Sequence, residues 1–414
     1  FTGDLVLYAN WEPEYDDPAP VIPAPRPSGT EEPSAPQKPA IKVSTSDETN
    51  NTTVTTAVPD AVVTGSTAVS TVTGEMGREI VSQAVDRGSA TVVIAPEMPE
   101  GVTRTEVSLP AETVGEIAGK TEARLQVVTP VASVTIPHQA LSDLAAGGGQ
   151  VTVSAEQTGS MVEVVVAANG SQVKELNGGL EVRIPQTDCG PGAVAMLVHE
   201  DGAMTVVRQS VAGSDGQSIT VPLDGSARVI IMDNSRSFAD IPASSWAAGA
   251  VAFASSHELM NGTEEGVFDP NASMTRAMLA TVLHNLEGNP PHGAGSAFPD
   301  VSAGAWYAEA VSWAAGNSIV SGYADGSFGP LDPVTREQLA VMLYRYAGSP
   351  AAEASLDGFA DAGAIGGYAR DAVAWAVASG VMKGKGGAVL DPQGTATRAE
   401  VAQMLLNFMS ASVK

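Results

Sequence analysis

FPDVSAGAWYAEAVSWAAGNSIVSGYADGSFGPLDPVTREQLAVML, residues 298–343, decides how the C-terminal part of this chain folds. It reads as helix, loop, helix: an Ala- and Trp-bearing stretch, a loop with Gly and Pro, then a second helix opened by Thr335-Arg336. The pattern returns on both sides. Thr275-Arg276 stands 60 residues before Thr335-Arg336, and Thr397-Arg398 stands 62 after it. A period of this size marks one structural unit copied three times.

The shared frame is long. Phe238, Phe298 and Phe359 open it, with Asp240, Asp300 and Asp361 just behind. A first aromatic follows (Trp246, Trp306, Tyr368), then a second (Phe253, Trp313, Trp375). Gly262, Gly322 and Gly384 close the first helical region, and Phe268, Phe328 or Leu390 with Pro270, Pro330 or Pro392 lead to the second. There Leu279, Val282, Leu283 and Leu286 recur at helical spacing, as do Leu339, Met342, Leu343, Tyr346 and Val401, Met404, Leu405, Phe408. Two short helices bury too little alone, so the units at about 238–288, 298–348 and 359–410 should pack into one all-α domain over 237–414. Trp313 and Phe253, in mid-helix, are expected in its core.

The threonines read as N-caps. A capping box is expected with Gln338 and Glu400 but not with Met278, which cannot reach back. The arginines are harder to explain. At about 100° per residue Arg276 lies about 60° from Leu279, at the flank of the buried stripe. A cation at a helix N-terminus opposes the macrodipole. Two explanations stay open: an internal ion pair with the repeated Asp, or capture of an anionic ligand.

The frame FxD…W…A…G…DGSFGP…TRxE resembles the S-layer homology repeat of bacterial envelope proteins over about 238–410. The resemblance implies a pseudo-threefold helical domain whose inter-repeat grooves bind secondary cell-wall polysaccharide, often at a terminal pyruvylated N-acetylmannosamine. It also implies an extracellular chain, in the cell wall or S-layer of a Gram-positive bacterium, that anchors and does not catalyse. Carried over, Arg276, Arg336 and Arg398 would take a carboxylate between two N–H groups. Trp246, Trp306 and Tyr368 would offer a ring to the sugar, Gly262 and Gly322 would line the groove, and Asp240, Asp300 and Asp361 would orient the arginine or cap a helix. No metal or cofactor is implied.

The copies differ in ways that matter. The first has GTEEGVFDP, putting Glu264 and Glu265 near an anion site; the third has GKGGAVLDP, without the loop Asp and Phe, and Tyr368 for Trp. A groove grouping Arg336 with Trp306, Gly322, Asp325 and Phe328 of its own unit is therefore expected to dominate.

Upstream the chain changes character, which predicts a multidomain protein. Residues 41–236 form a β-rich module of one or two domains, α+β or β-sandwich-like. Ten strands are expected, from ATVVIA (90–95) to ARVIIM (227–232). Two or three short helices interrupt them, notably 75–87, with Ile80, Ala84 and Val85 on one face, while PAETVGEIAG and PHQALSDLAAG carry helix start and stop signals. His138 and His199 lack partners at metal-ligand spacing and read as surface or capping residues. Residues 12–40 carry nine prolines and should be an extended spacer. Residues 1–11, FTGDLVLYANW, resemble the closing strand of a Listeria-Bacteroides type β-grasp repeat, as if a processed piece began at Phe1.

Totals narrow the choice further. With 47 acidic and 21 basic side chains, the net charge of -26 argues against nucleic acid or an anionic membrane as partner. Cys189 is alone, so no intrachain disulfide forms, and no apolar run is long enough for a membrane span. Two alternatives to a plain wall anchor remain: a self-assembling surface layer, or the anchor of an enzyme or adhesin lying upstream of Phe1.

Overall fold

The computed structural model describes residues 43–47, 52–187, 189–293, 298–351, 354–386 and 388–412. The expected strand at 1–11 and Pro-rich spacer at 12–40 lie outside the described residues. Ile41–Lys414 is one compact unit holding two hydrophobic cores, one β-rich and one helical.

Among the described residues the β-rich part has two sheets. The first runs β1 (Val43–Asp47), β2 (Thr53–Ala57), β5 (Thr91–Ile94), β7 (Arg124–Val128), β8 (Ser133–Ile136), β12 (Leu180–Pro185), β16 (Ser218–Leu223) and β15 (Val211–Ala212). The second runs β14 (Met204–Val207), β13 (Ala193–Val198), β17 (Ala227–Asp233), β10 (Met161–Ala168), β9 (Gln150–Thr158), β6 (Arg104–Pro110), β4 (Thr67–Thr71) and β3 (Ala61–Thr64), with β11 (Ser171–Gln172) on β10. Strands β2, β5 and β7 pair in parallel, as do β4 and β6; the remaining pairs are antiparallel. Alternation sets the faces: in β12 Leu180, Val182 and Ile184 point inward and their neighbours outward.

Three helices join the sheets into one core. Helix α1 (Gly74–Arg87) touches β1, β2 and β6, and α3 (His138–Ala145) touches β7 and β10. Between them α2 (Ala111–Lys120) packs on both other helices. All ten expected strands form; the short β1 to β4, three of them rich in Thr and Ser, were not among those expected. The stripe expected on α1 is displaced: Gly77, Ile80, Val81 and Ala84 are buried, whereas Val85 faces solvent. Gly77 is needed there, since a Cβ would run into Thr113 Oγ1 of α2.

The helical part contains α4 (Ala248–Ser256), α5 (Arg276–Leu286), α6 (Ala308–Gly316), α7 (Arg336–Tyr346), α8 (Arg370–Ala378) and α9 (Arg398–Ser412). Each unit's first helix packs on another unit's second: α6 on α5, α8 on α7, and α4 on α9. The strips before the second helices meet at the centre in a closed triangle of backbone bonds. Val334 N donates to Met274 O (2.8 Å), Met274 N to Ala396 O (3.0 Å) and Ala396 N to Val334 O (2.9 Å). All three side chains are buried. Phe253 and Trp313 join this core as expected.

The β-rich part docks on the first unit. His257, after α4, is buried with Nε2 2.9 Å from Ser210 O and Nδ1 2.8 Å from Phe253 O. Beside it Arg208 pairs with Glu258 at 2.9 Å, and Gln209 donates to Leu286 O.

Candidate functional site

Helix starts build the site. Thr335 and Gln338 form the expected capping box, and Thr397 and Glu400 exchange the same two bonds. Thr275 accepts only from Met278 N. The next N–H groups of each helix cross to another unit. Arg276 N and Ala277 N donate to Asp332 O and Pro330 O; Arg336 N and Glu337 N to Gly394 O and Pro392 O; Arg398 N and Ala399 N to Ala272 O and Pro270 O. The orphan donors of a helix N-terminus are thus consumed by a neighbour's proline loop.

The arginine side chains continue that grip. Arg276 Nε donates to Phe328 O (2.8 Å) and Nη2 to Ser321 O (3.1 Å). Arg336 does the same to Leu390 O and Lys383 O, and Arg398 to Phe268 O and Asn261 O. All three are buried, at 7%, 4% and 8% exposed. Burial lowers the pKa of Arg276 and of Arg398. Rings support two of them: Arg276 lies 4.8 Å over Tyr323 and 4.7 Å over Phe328, and Arg398 lies 4.6 Å over Phe268.

The repeated Asp works on the same residue from the other side. Asp300 accepts from Phe328 N and Gly329 N, Asp240 from Phe268 N and Asp269 N, and Asp361 from Leu390 N and Asp391 N. The Phe268 amide holds the Asp240 carboxyl below its usual range, and the Leu390 amide does so for Asp361. One loop residue therefore has its N–H tied by the Asp of its own unit and its C=O by the Arg of another. Of the two explanations left open for the arginine, the ion pair is not made as a direct contact: among the described residues no Arg–Asp bridge joins them, and the Asp side chain caps no helix.

These carbonyl bonds use Nε and Nη2 of each arginine and leave Nη1, which in Arg336 lies 3.6 Å from Glu400. Arg276 faces a cavity of about 340 Å³ lined by Gly322, Tyr323, Gln338, Arg345 and Tyr368. Arg336 faces one of about 460 Å³ lined by Trp246, Lys383, Gly384, Lys385 and Glu400. Each cavity draws its arginine, its loop and its aromatic from three different units. The rings are open to solvent: Trp246 is 66% exposed, Trp306 65% and Tyr368 61%. Gly322 has no room for a side chain, since a Cβ would lie 2.7 Å from Ser327 O. Gly262 is similarly enclosed, 2.6 Å from Val267 O.

This overturns the expected grouping of Arg336 with Gly322, Asp325 and Phe328. The second unit's loop belongs to Arg276, because an N-terminal side chain follows its helix's own N–H groups into the neighbouring unit. Arg336 meets the third unit's loop, and Arg398 meets the first, whose Glu264 and Glu265 are exposed. Charges differ accordingly. Glu400 lies 3.6 Å from Arg336 and 3.0 Å from Lys385, so the Arg336 cavity carries an internal counter-ion. The residues lining the Arg276 cavity include no carboxylate. Tyr323 and Arg345 were missed in the sequence; only position-by-position comparison of the units could flag them.

A family profile described as "S-layer homology domain" matches residues 237–278, 297–340 and 358–402. Relatives match the same end. Amylopullulanase of Thermoanaerobacterium thermosulfurigenes is 29% identical over 43% of this chain and 10% of its own length. Exoglucanase XynX of Acetivibrio thermocellus is 29% identical over 44% of this chain and 17% of its own. S-layer protein EA1 of Bacillus anthracis is 31% identical over 33% of this chain and 15% of its own. The chain thus spans a small fraction of each of these relatives. No helix among the described residues is long and apolar enough to cross a membrane. The three repeats within residues 237–402 thus match the S-layer homology domain, and S-layer proteins of the cell surface are among the relatives they resemble.

Proposed function

We propose that this chain holds a bacterial surface protein non-covalently to its envelope by gripping an acidic secondary cell-wall polysaccharide, with a pyruvylated sugar as the recognised unit. The carrying observation is the convergence, in two cavities, of a buried guanidinium, a loop walled by glycine and an exposed ring. The sets are Arg276 with Gly322 and Tyr368, and Arg336 with Gly384 and Trp246. Arg398, Gly262 and Trp306 form the third by the same rule, making the domain over 237–414 pseudo-threefold. The loop donors Asp240, Asp300 and Asp361 hold the walls rather than the ligand. A carboxylate would meet the guanidinium at Nη1, and the ring would cover the sugar's C–H face. Residues 41–236 act as a spacer on a proline-rich tether at 12–40, and no catalytic role falls to either.

The test is a pull-down of the chain on purified cell walls before and after stripping of the wall polysaccharide. Retention should vanish on stripped walls. It should also fall at least tenfold in Trp246→Ala and Tyr368→Ala together, two exposed rings, with helical circular dichroism checking the fold because Tyr368 Oη also bonds buried Glu337. Undiminished retention on stripped walls would refute the reading.

A second reading, self-association in a surface layer, is favoured by one observation. Strand β3 ends the second sheet with Val62 71% and Val63 43% exposed. Sedimentation at rising concentration, with and without Val62→Lys, tests it; a monomer throughout would remove it.

A further inference from the structure

The residue ten after each N-cap threonine differs in the second unit alone: Asn285, Arg345, Asn407. The two asparagines do one structural job. Asn285 Nδ2 donates to Leu259 O (3.3 Å) and Asn407 Nδ2 to Val381 O (3.1 Å), each bracing the turn after its own unit's first helix. Arg345 does something else. Its Nη1 donates to Ser321 Oγ (3.2 Å), while the same residue's carbonyl accepts from Arg276 Nη2 (3.1 Å). Two guanidinium groups therefore bracket Ser321, and both line the Arg276 cavity.

Nothing in the lining balances them. Asp332 and Asp300 act on Arg276 by charge without lining the cavity, and Glu337 is spent on Tyr368 Oη, Gly366 N and Gln393 Nε2. At the position where the Arg336 cavity carries Glu400, this one carries neutral Gln338. Like charges brought together in a half-enclosed cleft favour a ligand that brings matching negative charge.

We propose that Arg345 is a second anion anchor, making the Arg276 cavity selective for a saccharide terminus with two acidic groups. Arg276 receives the sugar-borne carboxylate, and Arg345 receives a second acid, carboxylate or phosphate, on the same or the adjoining residue. The Arg336 cavity, holding Glu400, lacks this preference. The proposal rests on the reading of these cavities as the acidic-sugar site and adds which acid chemistry each takes.

Calorimetry on the full chain would compare three probes: pyruvylated N-acetylmannosamine, the same sugar with a phosphate monoester, and the same sugar with a second carboxylate. The variant is Arg345→Asn, which installs the residue found in the other two units. The wild-type chain should bind at least one doubly acidic probe about tenfold or more tightly than the singly acidic one. Arg345→Asn should bring that ratio down to about one, with the loss of affinity falling mainly on the doubly acidic probe. The preferred probe identifies the second acid. Equal affinities in the wild type, a ratio surviving in Arg345→Asn, or equal weakening towards all probes would each overturn the role given to Arg345. Failure of the wild type to bind any of them would overturn the acidic-sugar reading itself.

Discussion

Removing the Arg398 guanidinium should loosen the helical domain without any ligand present. Arg398 closes the circuit, tying the third unit to Phe268 O (2.8 Å) and Asn261 O (2.5 Å) of the first. A hydrogen bond from a charged donor contributes about 1.5–3 kcal/mol, so two would contribute roughly 3–6. Burial of the cation offsets part of this, as its lowered pKa reflects. The net loss in Arg398→Met, which keeps the stem over Phe268, should be about 2–4 kcal/mol. For a domain of this size that is a fall in Tm of roughly 5–15 °C. Arg398→Lys should recover at most half, since one ammonium cannot meet two carbonyls with the same geometry. The assay is thermal and urea unfolding of the full chain, followed by helical circular dichroism, without polysaccharide. A change under about 0.5 kcal/mol, or one seen only with polysaccharide, would refute the structural role of the repeated arginine.

Gly322→Ala forces a methyl to within 2.7 Å of Ser327 O and 2.8 Å of Phe298 Cε1, so it should cost about 1–3 kcal/mol and reshape the Arg276 cavity; unfolding midpoints and probe affinity check both. Acid should weaken the junction of the β-rich and helical parts through His257. Burial, opposed by the carbonyls of Phe253 and Ser210, depresses its pKa to about 4, so below about pH 6.5 the unfolded chain takes up a proton that the folded one refuses. Stability from this group should be complete above about pH 6.5, fall by up to about 3 kcal/mol towards pH 4 and then level; His257→Gln should remove that slope in urea midpoints measured across the range.

What could be read in the sequence was what repeats within one unit. The amphipathic stripe of Leu339, Met342 and Leu343, the N-cap threonines and the missing box at Met278 all follow from spacing, and all stand in the structure. Strands such as β12 were legible because alternation is local. The short β1 to β4 were not: β1 and β3 are edge strands held only by their hairpin neighbours β2 and β4, which in turn pair with β5 and β6 across longer connections that their own side chains do not signal. The ring residues Trp246, Trp306 and Tyr368 could be picked out by position, but not their exposure, which comes from their place in the turns just before α4, α6 and α8.

What one copy could not reveal was which copy it serves. Arg336 and the loop around Gly322 are neighbours in sequence, so grouping them is natural, yet the helix N-terminus that carries Arg336 opens into the third unit. The sign of each cavity is therefore set by residues from units that differ. Gln338 faces Arg276, whereas Glu400 faces Arg336, and both serve equally well as capping-box partners. Helix capping tolerates either side chain, but a cavity awaiting an anion does not. Two units that look interchangeable as helices are thus unlike as binding surfaces, and the difference lies in a position whose local role conceals it.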